Sequence, residues 1–136
     1  MARILVIDDD AALLAVIRGL LADDGHEVVL SESVQPSPYV EKVAPDLIIL
    51  DYFFDGEPEG WELLQRLKMK HVTAHIPIVV CTGATEALHR MERSFFRQGI
   101  EVVLKPFTVE ELQQAVNGML NHGAQRALGA TTAPHR

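Results

Sequence analysis

Asp51 ends the run Asp46-Leu47-Ile48-Ile49-Leu50-Asp51, a short apolar segment that delivers a carboxylate at its C-terminal edge. Arg3-Ile4-Leu5-Val6-Ile7 runs into Asp8, Asp9 and Asp10 in the same manner. A third apolar segment ends at Thr82 and a fourth at Lys105-Pro106. Unpaired carboxylates resist desolvation and repel each other, so acids gathered along one edge need a cation to hold them together. Acids, a hydroxyl and an amine, each at the end of a strand, describe a site for a hard metal and a phosphoryl group.

The elements that must carry these residues alternate strand-like and helix-like patterns. Ile4 to Ile7 is continuously apolar, and Leu13, Leu14, Ile17, Leu20 and Leu21 then recur at helical spacing until Gly25 stops the helix. Val28 to Leu30 is a short strand, and the Pro36 and Pro38 region opens a brief second helix. Leu47 to Leu50 is the next strand, and Gly60 precedes a helix carrying Leu63, Leu64 and Leu67. Ile76 to Cys81 is a strand, Leu88, Met91 and Phe95 line a helix, and Ile100 to Leu104 is the last strand. Thr108 and Glu111 form a capping box ahead of Leu112, Ala115, Val116 and Met119. Strand and helix thus alternate five times, and uninterrupted Val/Ile/Leu strands imply a parallel sheet covered on both faces. In such sheets ligands bind beyond the carboxyl ends of the strands, where Asp8, Asp9, Asp51, Thr82 and Lys105 all fall.

Composition narrows the function classes. The 136 residues fit one domain with a real core; 48% are hydrophobic and 23% charged, which is globular rather than disordered. Asp and Glu outnumber Lys and Arg by 19 to 12, and a net charge of −7 disfavours a nucleic-acid surface. No apolar run is long enough to span a membrane, no signal peptide is expected, and one cysteine excludes an internal disulfide. These features lead us to expect a cytoplasmic domain over residues 1–121, followed by a mobile tail over 122–136 that lacks apolar periodicity.

The ordered set Ile4–Asp10, Asp46–Asp51, Val79–Ala84 and Leu104–Phe107, with Gly60–Leu64 between, resembles the response-regulator receiver domain of two-component signalling from about residue 2 to 120. That resemblance implies a flavodoxin-like (βα)5 three-layer sandwich with strand order 2-1-3-4-5. It implies that Asp51 accepts a phosphoryl group from a phosphohistidine on a sensor histidine kinase or histidine phosphotransfer protein. It also implies that Asp8 or Asp9, with Asp51 and the Phe53 backbone carbonyl, holds Mg²⁺, that Lys105 pairs with the phosphoryl oxygens, and that Thr82 hydrogen-bonds one of them. The chemistry agrees: carboxylates form acyl phosphates, Mg²⁺ takes oxygen ligands, and phosphoryl transfer needs positioning and charge neutralisation above all.

Other readings of the same residues fare worse. Asp10 is expected to be a helix cap, but capping leaves a second acid in Asp8-Asp9 without purpose. Asp51, Asp55, Gly56 and Glu62 have EF-hand spacing, yet Phe53 and Pro58 occupy positions that motif cannot spare and a strand precedes it. A haloacid-dehalogenase-type phosphatase needs a second acid where Phe53 stands. His71 and His75 are expected at the surface, Cys81 as a small buried hydrophobe, and Trp61 and Phe95 or Phe96 as core or helix-face packing.

Three departures from the family pattern shape the expectations. Val102 stands where receivers usually carry an aromatic residue, so the Thr-to-aromatic relay is in doubt and the signal is expected to leave through the segment from Thr82 to Glu86. Asp55, Glu57 and Glu59 make the loop after Asp51 longer and more acidic. Phe53 is expected to shield an acyl phosphate from water, giving slow self-dephosphorylation. The expected function is a stand-alone receiver, not a turnover enzyme, that signals to an effector protein by contact, with a homodimer possible and no direct nucleic-acid binding. The alternative is an interaction module indifferent to phosphorylation.

Overall fold

The computed structural model describes residues 1–83 and 98–132, with residues 122–132 as backbone alone. Five strands alternate with helices: β1 (Arg3–Ile7), α1 (Ala11–Asp23), β2 (Glu27–Ser31), α2 (Ser37–Val43), β3 (Leu47–Asp51), α3 (Glu59–Met69), β4 (Ile78–Thr82), β5 (Ile100–Leu104) and α4 (Val109–Thr132). All pairings are parallel and the order is β2-β1-β3-β4-β5. This is the expected flavodoxin-like sheet, with its order reversing beside β1, so that β1 and β3 flank the switch point where ligands bind.

Alternation along each strand divides the core into two layers, because successive side chains leave opposite faces. Leu5, Ile7, Ile48, Leu50 and Val80 pack with Val40 of α2 and Leu63, Leu64 and Leu67 of α3. Ile4, Val6, Ile49, Val79 and Cys81 pack with Leu14, Ile17 and Leu21 of α1 and Leu112, Val116 and Met119 of α4. Each fully buried aliphatic side chain contributes about 1.5–3 kcal/mol relative to exposure, so the two layers together hold the strand ends in register.

Local chemistry sets the element ends. The Asp10 carboxylate accepts the Leu13 amide at 3.1 Å and caps α1, as expected. The Thr108 hydroxyl accepts the Glu111 amide at 3.1 Å while Glu111 accepts the Thr108 amide at 2.7 Å, completing the capping box. β4 starts at Ile78 rather than Ile76, because Pro77 has no amide to offer a ladder. α3 starts at Glu59, which puts Gly60 inside its first turn instead of before it.

The expected tail is helical as far as Thr132, a continuation of α4 through Ala124, Gln125, Arg126, Ala127 and Leu128, all helix formers, with no proline until Pro134. The helix expected at Leu88, Met91 and Phe95, and the segment toward Glu86, lie outside the described residues. Among the described residues no helix is long and apolar enough to cross a membrane.

Candidate functional site

β1 and β3 lie side by side, with Ile7 opposite Leu50, so the residues that follow both strands emerge together. Asp8 is 3% exposed and Asp51 8%, while Asp9 is open to solvent. One carboxylate oxygen from each of Asp8, Asp9 and Asp51 lies within 4.8 Å of the others. Asp55 and Glu62, which share EF-hand spacing with Asp51, are not part of this group, and His71 and His75 are exposed.

Two ties fix Asp8. One oxygen accepts the Asp10 amide at 2.9 Å and the other accepts from Lys105 Nζ at 3.1 Å. Lys105 Nζ also stands 3.5 Å from Asp51 Oδ1. The amine is brought there by the Lys105 amide, which donates to the Thr82 carbonyl at 2.7 Å, and the Lys105–Pro106 bond is cis.

The electrostatics are those of a site short of positive charge. Burial first, and then the neighbouring Asp8, push the Asp51 carboxyl above the usual carboxylate range, with Lys105 pulling the other way. Burial works against the Lys105 ammonium, yet the charge and hydrogen bond of Asp8 and the charge of Asp51 hold its pKa above the usual lysine value. Three acids against one amine leave room for a further cation with oxygen ligands.

Thr82 ends β4 and is 1% exposed; its hydroxyl has no hydrogen-bond partner among the described residues. A buried hydroxyl left unsatisfied costs about 1–3 kcal/mol. Val102 is buried, opposite Val80 across the β4–β5 ladder, and fills the core as an aliphatic side chain. Phe53 is 45% exposed, its ring 4.6 Å from Tyr52, and Tyr52 in turn stacks on Trp61 at 5.5 Å.

The loop between β3 and α3 contains a turn that the sequence reading passed over. Phe54 and Glu57 exchange amide–carbonyl bonds of 2.9 and 3.0 Å, and Asp55 and Gly56 between them have φ of 53° and 77°. Two positive φ values in a two-residue loop are the type I′ arrangement, for which an Asp-Gly pair is the sequence signal. The loop is acidic at Asp55, Glu57 and Glu59, as expected, but it is anchored by the buried Phe54.

The response regulator receiver domain family matches residues 4–117. The chain belongs to the response-regulator receiver family. Receivers serve phosphorylation-based two-component signalling. It is 30% identical over 129 residues to the phosphate regulon transcriptional regulatory protein PhoB of Rhizobium meliloti, covering 94% of this chain and 56% of that protein. It is 32% identical over 123 residues to PhoB of Pseudomonas aeruginosa, covering 86% and 51%. The receiver thus spans about half the length of the curated relatives it matches. Among solved structures, a response regulator receiver domain protein from Clostridium thermocellum superposes with a TM-score of 0.74 at 27% identity, covering 92% of this chain and 98% of that one. NtrX from Brucella abortus in complex with ATP gives 0.77 at 26% identity, covering 95% and 29%.

Every acid, hydroxyl and amine singled out from sequence at a strand end therefore lies at one edge of the sheet. Lys105 pairs with Asp8 and Asp51, Asp9 brings a carboxylate oxygen within 4.8 Å of both acids, and Thr82 is tied to Lys105 through the backbone. Gly60 was seen only as a helix-start signal, although it touches the Asp51 backbone directly; nothing local in the sequence reports such a long-loop contact.

Proposed function

We propose that this receiver stores a signal as an acyl phosphate on Asp51. A carboxylate oxygen of Asp51 forms a bond to phosphorus as the N–P bond of a phosphohistidine breaks, and the imidazole nitrogen departs with the electron pair and takes up a proton. The donor is a sensor histidine kinase or a histidine phosphotransfer protein. Lys105, already 3.5 Å from Asp51, neutralises charge on the transferred group, and Thr82 supplies its hydroxyl, without a partner among the described residues, to one phosphoryl oxygen.

The donor set suits Mg²⁺. Three carboxylates with ligand atoms within 4.8 Å are hard oxygen ligands, and burial and Asp8 together raise the Asp51 pKa, as expected of an edge lacking a counter-ion. Asp8, Asp9, Asp51 and the Phe53 carbonyl would hold the ion, which when bound neutralises charge on the phosphoryl oxygens. Asp51 takes one phosphoryl group at a time and loses it slowly to water, which supports a signal store over a turnover enzyme. Output passes by contact to an effector protein or a second copy. The PhoB relatives are named as transcriptional regulators, but the net charge of −7 supports a protein partner for this chain over nucleic acid. A single cysteine, with no internal disulfide, supports a cytoplasmic setting.

The observation that carries this reading is Lys105 shared between the buried carboxylates of Asp8 and Asp51. A small phosphodonor with Mg²⁺ should add one phosphoryl group to the native chain by mass and none to Asp51→Asn; an adduct independent of Asp51 defeats the reading. Val102 supports one alternative, a module that binds its partner regardless of phosphate, because a valine makes no ring movement. That alternative requires the Asp51→Ala chain to bind the effector as well as the phosphorylated native chain does.

A further inference from the structure

The helix that follows Asp51 lies against the backbone of that residue. A Cβ placed on Gly60 would stand 1.8 Å from the Asp51 carbonyl oxygen and 2.9 Å from both the Asp51 carbonyl carbon and the Tyr52 carbonyl oxygen. The Gly60 amide donates to that same Tyr52 oxygen at 3.1 Å. These obstacles are backbone atoms, so no rotamer change relieves them. The stretch from Asp51 to Gly60 is a closed loop that returns onto its own beginning. Its interior is held by Phe54, buried with Leu63, Leu64 and Leu67, and by the Phe54–Glu57 turn. The Glu59 amide, donating to the Glu57 carbonyl at 2.8 Å, ties that turn to the first residue of α3.

We infer that Gly60 is a positioning residue, whose missing side chain sets where the Asp51–Phe53 backbone lies and so aims both the Asp51 carboxylate and the Phe53 carbonyl. This rests on the proposed roles of those two groups. An alanine methyl must displace the Asp51 carbonyl, or the first turn of α3, by more than an ångström to reach ordinary contact. Mg²⁺ tolerates little departure from octahedral geometry, so a shift of that size in the segment carrying two of its ligands falls directly on cation affinity. Gly19 and Gly118 provide the contrast, because an added Cβ meets nothing within 4 Å at either position.

The test is a Mg²⁺ titration without any phosphodonor, followed by fluorescence of Trp61, the chain's one tryptophan, which stacks on Tyr52. The native chain and Gly118→Ala should share one midpoint. Gly60→Ala should keep its far-ultraviolet circular dichroism and move the midpoint to about tenfold higher Mg²⁺ or more, the size of effect seen when a residue orienting metal ligands is lost. A purely structural glycine would lower the melting temperature and leave the midpoint of the folded chain where it was; that result overturns the inference while leaving Asp51 as acceptor intact. If Gly60→Ala does not fold in buffer, the titration is repeated on it and the native chain in a stabilising osmolyte that restores its circular dichroism, and an unchanged midpoint there overturns the inference equally. A native chain with neither a Mg²⁺ response nor an Asp51 adduct overturns the acceptor reading and this inference together.

Discussion

Lys105 donates to Asp8 at 3.1 Å, joining residues 97 positions apart across the edge of the sheet. The Asp8 side chain is only 4% exposed, so the amine is the principal compensation for a buried charge. Replacing it in Lys105→Met leaves Asp8 and Asp51 facing each other. In chelator this variant should lose about 1–2 kcal/mol of stability, below the full cost of breaking a buried pair because Lys105 itself is partly solvated. Millimolar Mg²⁺ should restore more of the melting temperature in the variant than in the native chain. Thermal unfolding with and without Mg²⁺ measures both.

Asp51 makes stability depend on pH in a defined direction. Its pKa in the folded chain is raised above the ordinary 3.8, by burial first and by Asp8 next. Below that ordinary value the carboxyl is protonated in both folded and unfolded chains and contributes no difference. As pH rises, the unfolded chain releases its proton first, so stability falls until the folded carboxyl has also ionised, and the deficit then persists. Asp51→Asn cannot ionise. In metal-free buffer it should therefore melt above the native chain at pH 7, by a few degrees, with the gap closing as pH approaches 4. A gap that widens toward acid pH would contradict this account.

Thr82→Val separates stability from signalling. The hydroxyl is buried without a partner among the described residues, and valine keeps its shape while removing the unsatisfied group. The unphosphorylated variant should be as stable as the native chain or more so, by up to about 1 kcal/mol. Its phosphorylated form should show a smaller Trp61 fluorescence change, which a stopped-flow phosphorylation trace would register.

Phe53→Asn should shorten the life of the acyl phosphate. The exposed phenyl ring two residues after Asp51 offers no group to orient water, whereas an amide does. A roughly tenfold faster loss of the phosphoryl group corresponds to about 1.4 kcal/mol in the barrier. Decay of the phosphorylated mass after removal of the donor gives the rate, and an unchanged lifetime would sink the shielding role.

What could be read from sequence was whatever apolar patterning and local capping encode. Strand runs ending in Asp8, Asp51, Thr82 and Lys105 located the site, because a parallel sheet must put all four strand ends on one edge. Asp10 and the Thr108–Glu111 pair behave as local rules require. The preference of Lys105 for Asp8 over Asp51 was not legible, since it depends on sub-ångström placement of elements distant in sequence. The anchoring of Phe54 was missed for a different reason: an isolated apolar residue in a charged loop carries no periodicity. The extension of α4 to Thr132 was missed because helix propensity continues there after the apolar stripe has faded.

Cys81 lies inside β4, flanked by β3 and β5, and burial pushes its thiol up to about 12. Alkylating reagents and peroxides attack the thiolate, so in the folded chain this sulfur is chemically silent at neutral pH. It becomes reactive only when the middle of the sheet parts. The chain therefore carries its own clock: the rate at which a thiol reagent marks Cys81 counts openings of the innermost strands, while surface fraying goes unrecorded.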